Sequence, residues 1–191
     1  MQGNIPGHGL IVSNHLSYLD ILAFSAALPC VFVSKAEVTN LPIIGRFAEQ
    51  AGTIFVQREK HGDGSRANLG IAECLQNGVR VVVFPEGTTT NGAQLLRFHS
   101  TMLQPALGAG EIITPCAIRY ELEDGVAENE VCWWGNAPLG PHLLNLLGKR
   151  RIKARITFGG PVPAAGDRKA LGLELRARVT VLHDRLKSGS L

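Results

Sequence analysis

Short apolar runs alternate along the chain with stretches whose apolar residues recur every three or four positions, the pattern of strands feeding helices in an α/β protein. Residues 9–12 form a brief apolar run that ends at Ser13-Asn14-His15. Ser17 and Asp20 then read as a capping box, Ser17 being the N-cap and Asp20 the third helical position of a helix that reaches about Leu28 and stops at Pro29. A second strand is predicted over 31–34, a helix over 43–50 and a third strand over 53–57. After the polar loop 61–64, Ser65 is placed to cap a helix running to Gln76, with Asn77-Gly78 as its stop. The β-branched run 79–84 predicts a buried central strand.

Further along, a helical stretch over about 95–107 is expected to kink or end at Pro105. Strands are predicted over 112–120 and 131–135, separated by the acidic loop 121–130. Ile152, Ala154, Ile156 and Phe158 alternate with Lys153, Arg155 and Thr157, which predicts a half-buried strand with a basic outer face. Leu171, Leu175, Val179, Leu182 and Leu186 lie on one face of a C-terminal helix. With no repeat, low-complexity tract or linker, residues 1–191 read as a single domain. Its motif-bearing part spans about 10–120 and its C-terminal strand and helix about 131–187. The expected class is α/β, with a mixed, mostly parallel sheet flanked by helices.

Composition narrows the function classes. Hydrophobic residues make up 45% and charged residues 18%, which excludes a disordered or fibrous chain. A net charge of +3 suits an anionic partner. It falls short of the basic clusters of a nucleic-acid binder, and no nucleic-acid partner is expected. Cys30, Cys74, Cys116 and Cys132 stand far apart with no Cys-x-x-Cys pair, so neither disulfides nor a structural metal is expected. The richest apolar stretch, 16–33, contains Asp20 and Pro29, and residues 1–8 lack the basic and apolar regions of a signal peptide. Any membrane contact is therefore expected to be peripheral, or to depend on a segment outside this sequence.

Three blocks place polar groups at the ends of apolar strands, where ligands of α/β sheets sit. In the first, running from Asn14 to Asp20, the five-residue step from His15 lets the Asp20 carboxylate fold back onto the imidazole. That gives the base and orienting acid of a catalytic triad without a nucleophile, or simply a loop histidine held by a nearby carboxylate. The second, Gly52-Thr53-Ile54-Phe55-Val56-Gln57-Arg58, ends in an arginine suited to a phosphate or to an ordinary surface ion pair. In the third, Phe84-Pro85-Glu86-Gly87-Thr88, the proline stops the strand, Gly87 permits close approach of a ligand and Thr88 offers a hydroxyl. A polar turn with a solvated Glu86 is the plainer reading of this block.

Taken in order, these blocks resemble the glycerolipid acyltransferases that include 1-acylglycerol-3-phosphate acyltransferase. That family carries Asn-His-x-x-x-x-Asp, Gly-x-Ile-Phe-Val-x-Arg, Phe-Pro-Glu-Gly-Thr and a strand with an internal proline, here Ile112-Ile113-Thr114-Pro115-Cys116. Ser34-Lys35-Ala36-Glu37 and Leu41-Pro42-Ile43-Ile44-Gly45 look like the family's segment between the first two blocks. The stretch from Thr88 to Gly92 with Phe98-His99-Ser100 is similar to bacterial members. The resemblance covers about 10–120. It implies a glycerol-phosphate acyltransferase-like fold and transfer of a fatty acyl group from an acyl thioester to a lysophospholipid hydroxyl. The leading acceptor is 1-acylglycerol-3-phosphate, giving phosphatidic acid. His15 would be the general base, oriented by Asp20, with no covalent acyl-enzyme. Gly52, Arg58, Glu86, Gly87 and Thr88 would line the acceptor site, Arg58 on its phosphate, and Lys35 would assist the phosphate or the thioester oxyanion. Acyl-CoA or acyl carrier protein would be co-substrate, with no cofactor or metal.

Family members often begin with membrane-embedding helices, whereas about a dozen residues precede His15 here, as in a short form or a truncated start. Peripheral attachment at the cytoplasmic face of a membrane is expected. The apolar run 141–147 followed by Lys149-Arg150-Arg151-Ile152-Lys153 suits docking on anionic lipid, or forms a short core helix before a solvated basic turn. Two rival functions remain. A lipid or thioester hydrolase is weakened by the lack of a Gly-x-Ser-x-Gly elbow, and a non-catalytic lipid-binding module by the presence of both His15 and Asp20.

Overall fold

The computed structural model describes residues 1–35, 45–46, 52–56 and 63–189. Their strands are β1 (Gly9–Ser13), β2 (Val31–Lys35), β3 (Ile54–Val56), β4 (Arg80–Val83), β5 (Ile112–Leu122), β6 (Ile152–Phe158) and β7 (Val162–Pro163). Their α-helices are α1 (Leu19–Ala27), α2 (Asp63–Gln76), α3 (Gln104–Ala109), α4 (Ala127–Glu130), α5 (Leu139–Leu147) and α6 (Arg168–Ser188). The strands form one sheet in the order β3-β2-β4-β1-β5-β6, with β7 also on β5. Contacts among β1 to β4, and between β1 and β5, are parallel; β6 and β7 run antiparallel to β5. The expected mixed, mostly parallel sheet is the one observed.

The central strands are apolar on both faces because helices cover both. Leu10, Val12, Val81 and Val83 point to one side, where Ile71 and Leu75 of α2 and Leu171, Leu175, Val179, Leu182 and Leu186 of α6 pack on them. Ile11 and Val82 point to the other, against Ile21, Phe24 and Leu28 around α1 and Leu146 of α5. The C-terminal helix thus buries the stripe its periodicity predicted. Gly78 ends α2 at φ 72°, a conformation that favours glycine.

Ser65 lies inside α2, which begins at Asp63, rather than capping it; three other local expectations fail for identifiable reasons. Ser17 does not cap α1: the N-cap is Tyr18, and the buried Ser17 hydroxyl has no partner among the described residues. Asp20 instead binds the loop ahead of the helix, its Oδ2 accepting from the backbone N–H groups of Leu16 and Ser17 at 2.7 and 3.2 Å, and no side chain caps α1 among the described residues. Pro105 begins a helix rather than ending one. Residues 100–103 form a 3₁₀ turn and the proline occupies the first turn of α3, where its missing N–H has no intrahelical acceptor to lose. Residues 131–135 are not a strand. The N–H groups of Val131 and Cys132 turn back to the Ala127 carbonyl, and Trp133 donates to the Leu16 carbonyl at 2.9 Å, so no ladder is available. The helix expected over 43–50 falls mostly outside the described residues, only 45–46 being helical there.

Two leucines on α6 separate packing from propensity. Leu175 is fully buried, whereas Leu173 is 70% exposed. Leu175→Ala is expected to destabilise the protein by about 2–5 kcal/mol and Leu173→Ala by about 0.5 kcal/mol or less. Denaturant unfolding of the two variants reads the difference; equal losses would contradict this packing.

Candidate active site

The polar groups gather beyond the C-terminal ends of the parallel strands β1 and β4. Asn14, the first residue after β1, extends the sheet with its side chain. Its Nδ2 donates to the Ile118 carbonyl at 3.0 Å and its Oδ1 accepts from the Ile118 N–H at 2.9 Å. The chain then turns, and His15 leaves the sheet at a fixed point.

His15 Nδ1 lies 2.7 Å from Asp20 Oδ2. Asp20 is fully buried, and its carboxylate can only accept, so Nδ1 carries the proton and Nε2 presents a lone pair. No described residue pairs with Nε2, and the imidazole is 20% exposed. The ring stacks on Phe84 at 4.2 Å between centroids with 13° between planes. Orientation is thus fixed by a carboxylate at one edge and an aromatic face on one side.

Glu86 braces the same loop from β4. Its Oε1 accepts from the His15 backbone N–H at 2.9 Å and its Oε2 from the Leu96 N–H at 2.8 Å. Burial pushes its carboxyl above the usual range, an effect these two bonds and the His15 imidazole partly offset. Arg176 of α6 donates to the carbonyls of Leu95 and Leu96, which ties the far end of that segment down. Gly87, at φ 71°, closes a turn through its N–H to the Phe84 carbonyl. Thr88 is exposed beside it, and Thr90 donates its N–H to the His15 carbonyl at 2.9 Å.

Of the residues singled out from sequence, His15, Asp20, Glu86, Gly87 and Thr88 come together here. Lys35 is the last residue of β2, opposite Val56 of β3. Gly52 precedes β3 with φ 69°, and a Cβ there would meet the Val31 side chain at 3.2 Å. Arg58 lies outside the described residues.

Sequence reasoning missed Tyr120, whose hydroxyl donates to Asp20 Oδ1 at 2.7 Å, and the stacking partner Phe84. The signal for Tyr120 is its phase: it lies two and four residues past Ile118 and Cys116, on the same face of β5. Burial and the Asp20 charge push its phenol well above the ordinary range, so it remains a donor. The Cys132 thiol, pushed up to about 12 by burial and by Asp20, stays protonated and offers no thiolate nucleophile.

Comparison with known proteins identifies the family. The family model described as Acyltransferase matches residues 2–119. The chain is 39% identical over 181 residues to the lyso-ornithine lipid O-acyltransferase of Pseudomonas aeruginosa, covering 94% of this chain and 69% of that protein. It is 38% identical over 168 residues to the 1-acyl-sn-glycerol-3-phosphate acyltransferase of Neisseria meningitidis, covering 87% and 66%. The crystal structure of the 1-acyl-sn-glycerophosphate acyltransferase PlsC from Thermotoga maritima shares the fold, with a TM-score of 0.64 at 23% identity, over 96% of this chain and 68% of that one. A motif set read from the residues, a family match over more than half the chain and a relative aligned along most of its length agree: this chain belongs to the acyltransferase family.

Proposed function

We propose that the chain transfers a fatty acyl group from an acyl thioester, carried by coenzyme A or acyl carrier protein, to the free hydroxyl of a lysophospholipid, foremost 1-acylglycerol-3-phosphate. The observation that carries this reading is the open Nε2 of His15, whose Nδ1 is held 2.7 Å from the buried Asp20. Nε2 takes the proton of the acceptor hydroxyl as its oxygen attacks the thioester carbonyl. A C–O bond forms, the C–S bond breaks, and the imidazolium returns the proton to the departing thiolate. Asp20 stabilises the imidazolium in between. No protein nucleophile is required.

Glu86 serves by holding the His15 backbone in place, while Gly87 and Thr88 border the acceptor. Lys35, Gly52 and Arg58 are proposed on the same side, with Arg58 on the acceptor phosphate. A second acceptor, a lyso-ornithine lipid, is favoured by the names of relatives at 39% and 36% identity. Either acceptor presents the same chemistry, a hydroxyl on a lipid.

Such acceptors lie in a bilayer. No helix among the described residues is long and apolar enough to cross one. Helix α5 turns Leu146 into the core and leaves Leu144 and Leu147 exposed, at 71% and 75%. The Tyr18 hydroxyl lies 3.0 Å from His142 Nδ1, so this helix is joined to the loop that carries His15. Lys149, expected from sequence to face lipid, is paired with Glu130 instead. Arg150 and Arg151 remain exposed, Arg151 with its Nε 3.9 Å from Glu123 Oε2. The proposed docking face on anionic lipid is therefore Leu144 and Leu147 with these two arginines, each worth about 1 kcal/mol near such a surface.

Three outcomes follow. Thiol release from a long-chain acyl-CoA or acyl carrier protein is expected to require an acceptor lipid and to fall by about 10²–10⁴-fold in His15→Ala. Assaying lysophosphatidic acid beside a lyso-ornithine lipid decides the acceptor, and acceptor-independent release would identify a hydrolase instead. In Leu144→Ser/Leu147→Ser, sedimentation with anionic vesicles should weaken; unchanged binding removes α5 from the docking face. Glu86 supplies the pH dependence. Its raised carboxyl makes ionisation harder in the fold than in the unfolded chain, so its contribution to stability declines as pH rises from the ordinary 4.5 through the raised value. Glu86→Gln should flatten that decline while costing about 1–3 kcal/mol overall, because one amide oxygen cannot serve both backbone donors. Unfolding curves measured across that range test it.

A further inference from the structure

Asp20 is satisfied unequally. Its Oδ2 faces three donors, His15 Nδ1 and the backbone N–H groups of Leu16 and Ser17, at 2.7, 2.7 and 3.2 Å. Among the described residues its Oδ1 has one, the hydroxyl of Tyr120 at 2.7 Å. Both side chains are buried, Asp20 fully, so bulk water is not at hand to replace that bond. The register explains the meeting. β5 pairs with β1 only as far as Ser13 opposite Cys116, then runs on past the end of β1. Asn14 grips Ile118, and two residues later the same face of β5 delivers Tyr120 over the carboxylate.

We propose that Tyr120 is a positioning residue of the reaction, the outer member of a buried Tyr–Asp–His chain that sets the proton affinity of the His15–Asp20 pair and keeps Nε2 aimed at the acceptor. The inference rests on the reading of His15 as general base. A donor on Oδ1 draws charge from the carboxylate. Removing that donor makes the anionic pair bind a proton more readily, whichever of the two residues holds it. The base is then protonated at a higher pH, and activity on the acid side is lost earlier. Other ionisable groups facing the pair are Glu86 from the loop after β4 and the Cys132 thiol after α4. Neither makes a hydrogen bond to Oδ1.

The test is Tyr120→Phe, which keeps the ring in its apolar surroundings. The expected result is a fall in kcat on the order of 10-fold. KM for the acceptor lipid should change by no more than about 2-fold, because Tyr120 is buried behind Asp20. The acid limb of the kcat profile should move up by roughly half a pH unit or more. Full activity with an unmoved limb overturns the proposal, as does a loss of rate that only follows the loss of folded protein. If the phenylalanine variant fails to fold, 3-fluorotyrosine replaces tyrosine in the Tyr18→Phe protein, where Tyr120 is the remaining tyrosine of two. The stronger donor should move the limb to lower pH, and an unmoved limb again refutes the role. His15→Ala is run alongside: activity retained there would sink the general-base reading itself, whereas activity lost there beside an unmoved limb would sink the Tyr120 role alone.

Discussion

A carboxylate with no solvent exposure must find its hydrogen bonds inside the protein, and much of the local structure answers that demand of Asp20. An isolated charge in such a place would cost several kcal/mol. Four donors converge on this one: His15, two backbone N–H groups and Tyr120. The backbone pair obliges the chain to turn tightly between Asn14 and Tyr18, just ahead of the start of α1 at Leu19. The imidazole is held as a by-product of the same demand. What is a packing requirement for Asp20 is preorganisation for His15.

That arrangement would be loose if the turn could move as a unit, and the neighbouring strands prevent it. Asn14 is clamped to β5, Glu86 joins the His15 backbone to Leu96, and Arg176 holds Leu95 and Leu96 from α6. The C-terminal helix thereby supports the loop that carries His15 through two intermediaries, although it lies on the opposite face of the sheet from α1. Its length and deep apolar stripe make sense as an anchor for those intermediaries. Gly92 shows how closely this bracing is packed, since a Cβ there would meet the Leu16 side chain at 3.1 Å.

Elements whose pattern is set by burial were legible in the sequence: β1, β4 and β5 follow from apolar runs, β6 from period-two alternation and α6 from apolar residues at steps of three and four. The His15–Asp20 contact was legible too, because five residues across a strand-to-helix junction leave few geometries. Failures have two causes. Ser17 and 131–135 were judged on local preference and overruled by competing backbone bonds, whereas Pro105 was misjudged for position, since in the first turn of a helix it forfeits no bond. Glu86 was expected to face the acceptor, but its oxygens turn to backbone donors 71 residues before it and 10 after it. Tyr120 is 100 residues from Asp20, and the fact that β5 outruns β1 is a matter of register, which no single segment encodes.

The raised carboxyl of Glu86 and the fourfold bonding of Asp20 are opposite solutions to one problem. Both acids are buried within the same few loops, and the Asp20 charge adds to the cost of ionising Glu86. Asp20 carries the demand for charge at the imidazole and receives four donors, including one hydroxyl from a strand extended to reach it. Glu86 carries no contact with the ring edge and receives two backbone N–H groups, enough to fix loops but not enough to hold its carboxyl in the ordinary range. The supply of donors therefore differs although both acids are buried. Where the carboxylate meets the imidazole, four donors converge; where the carboxylate clasps two loops, two donors suffice and the acid is costlier to ionise.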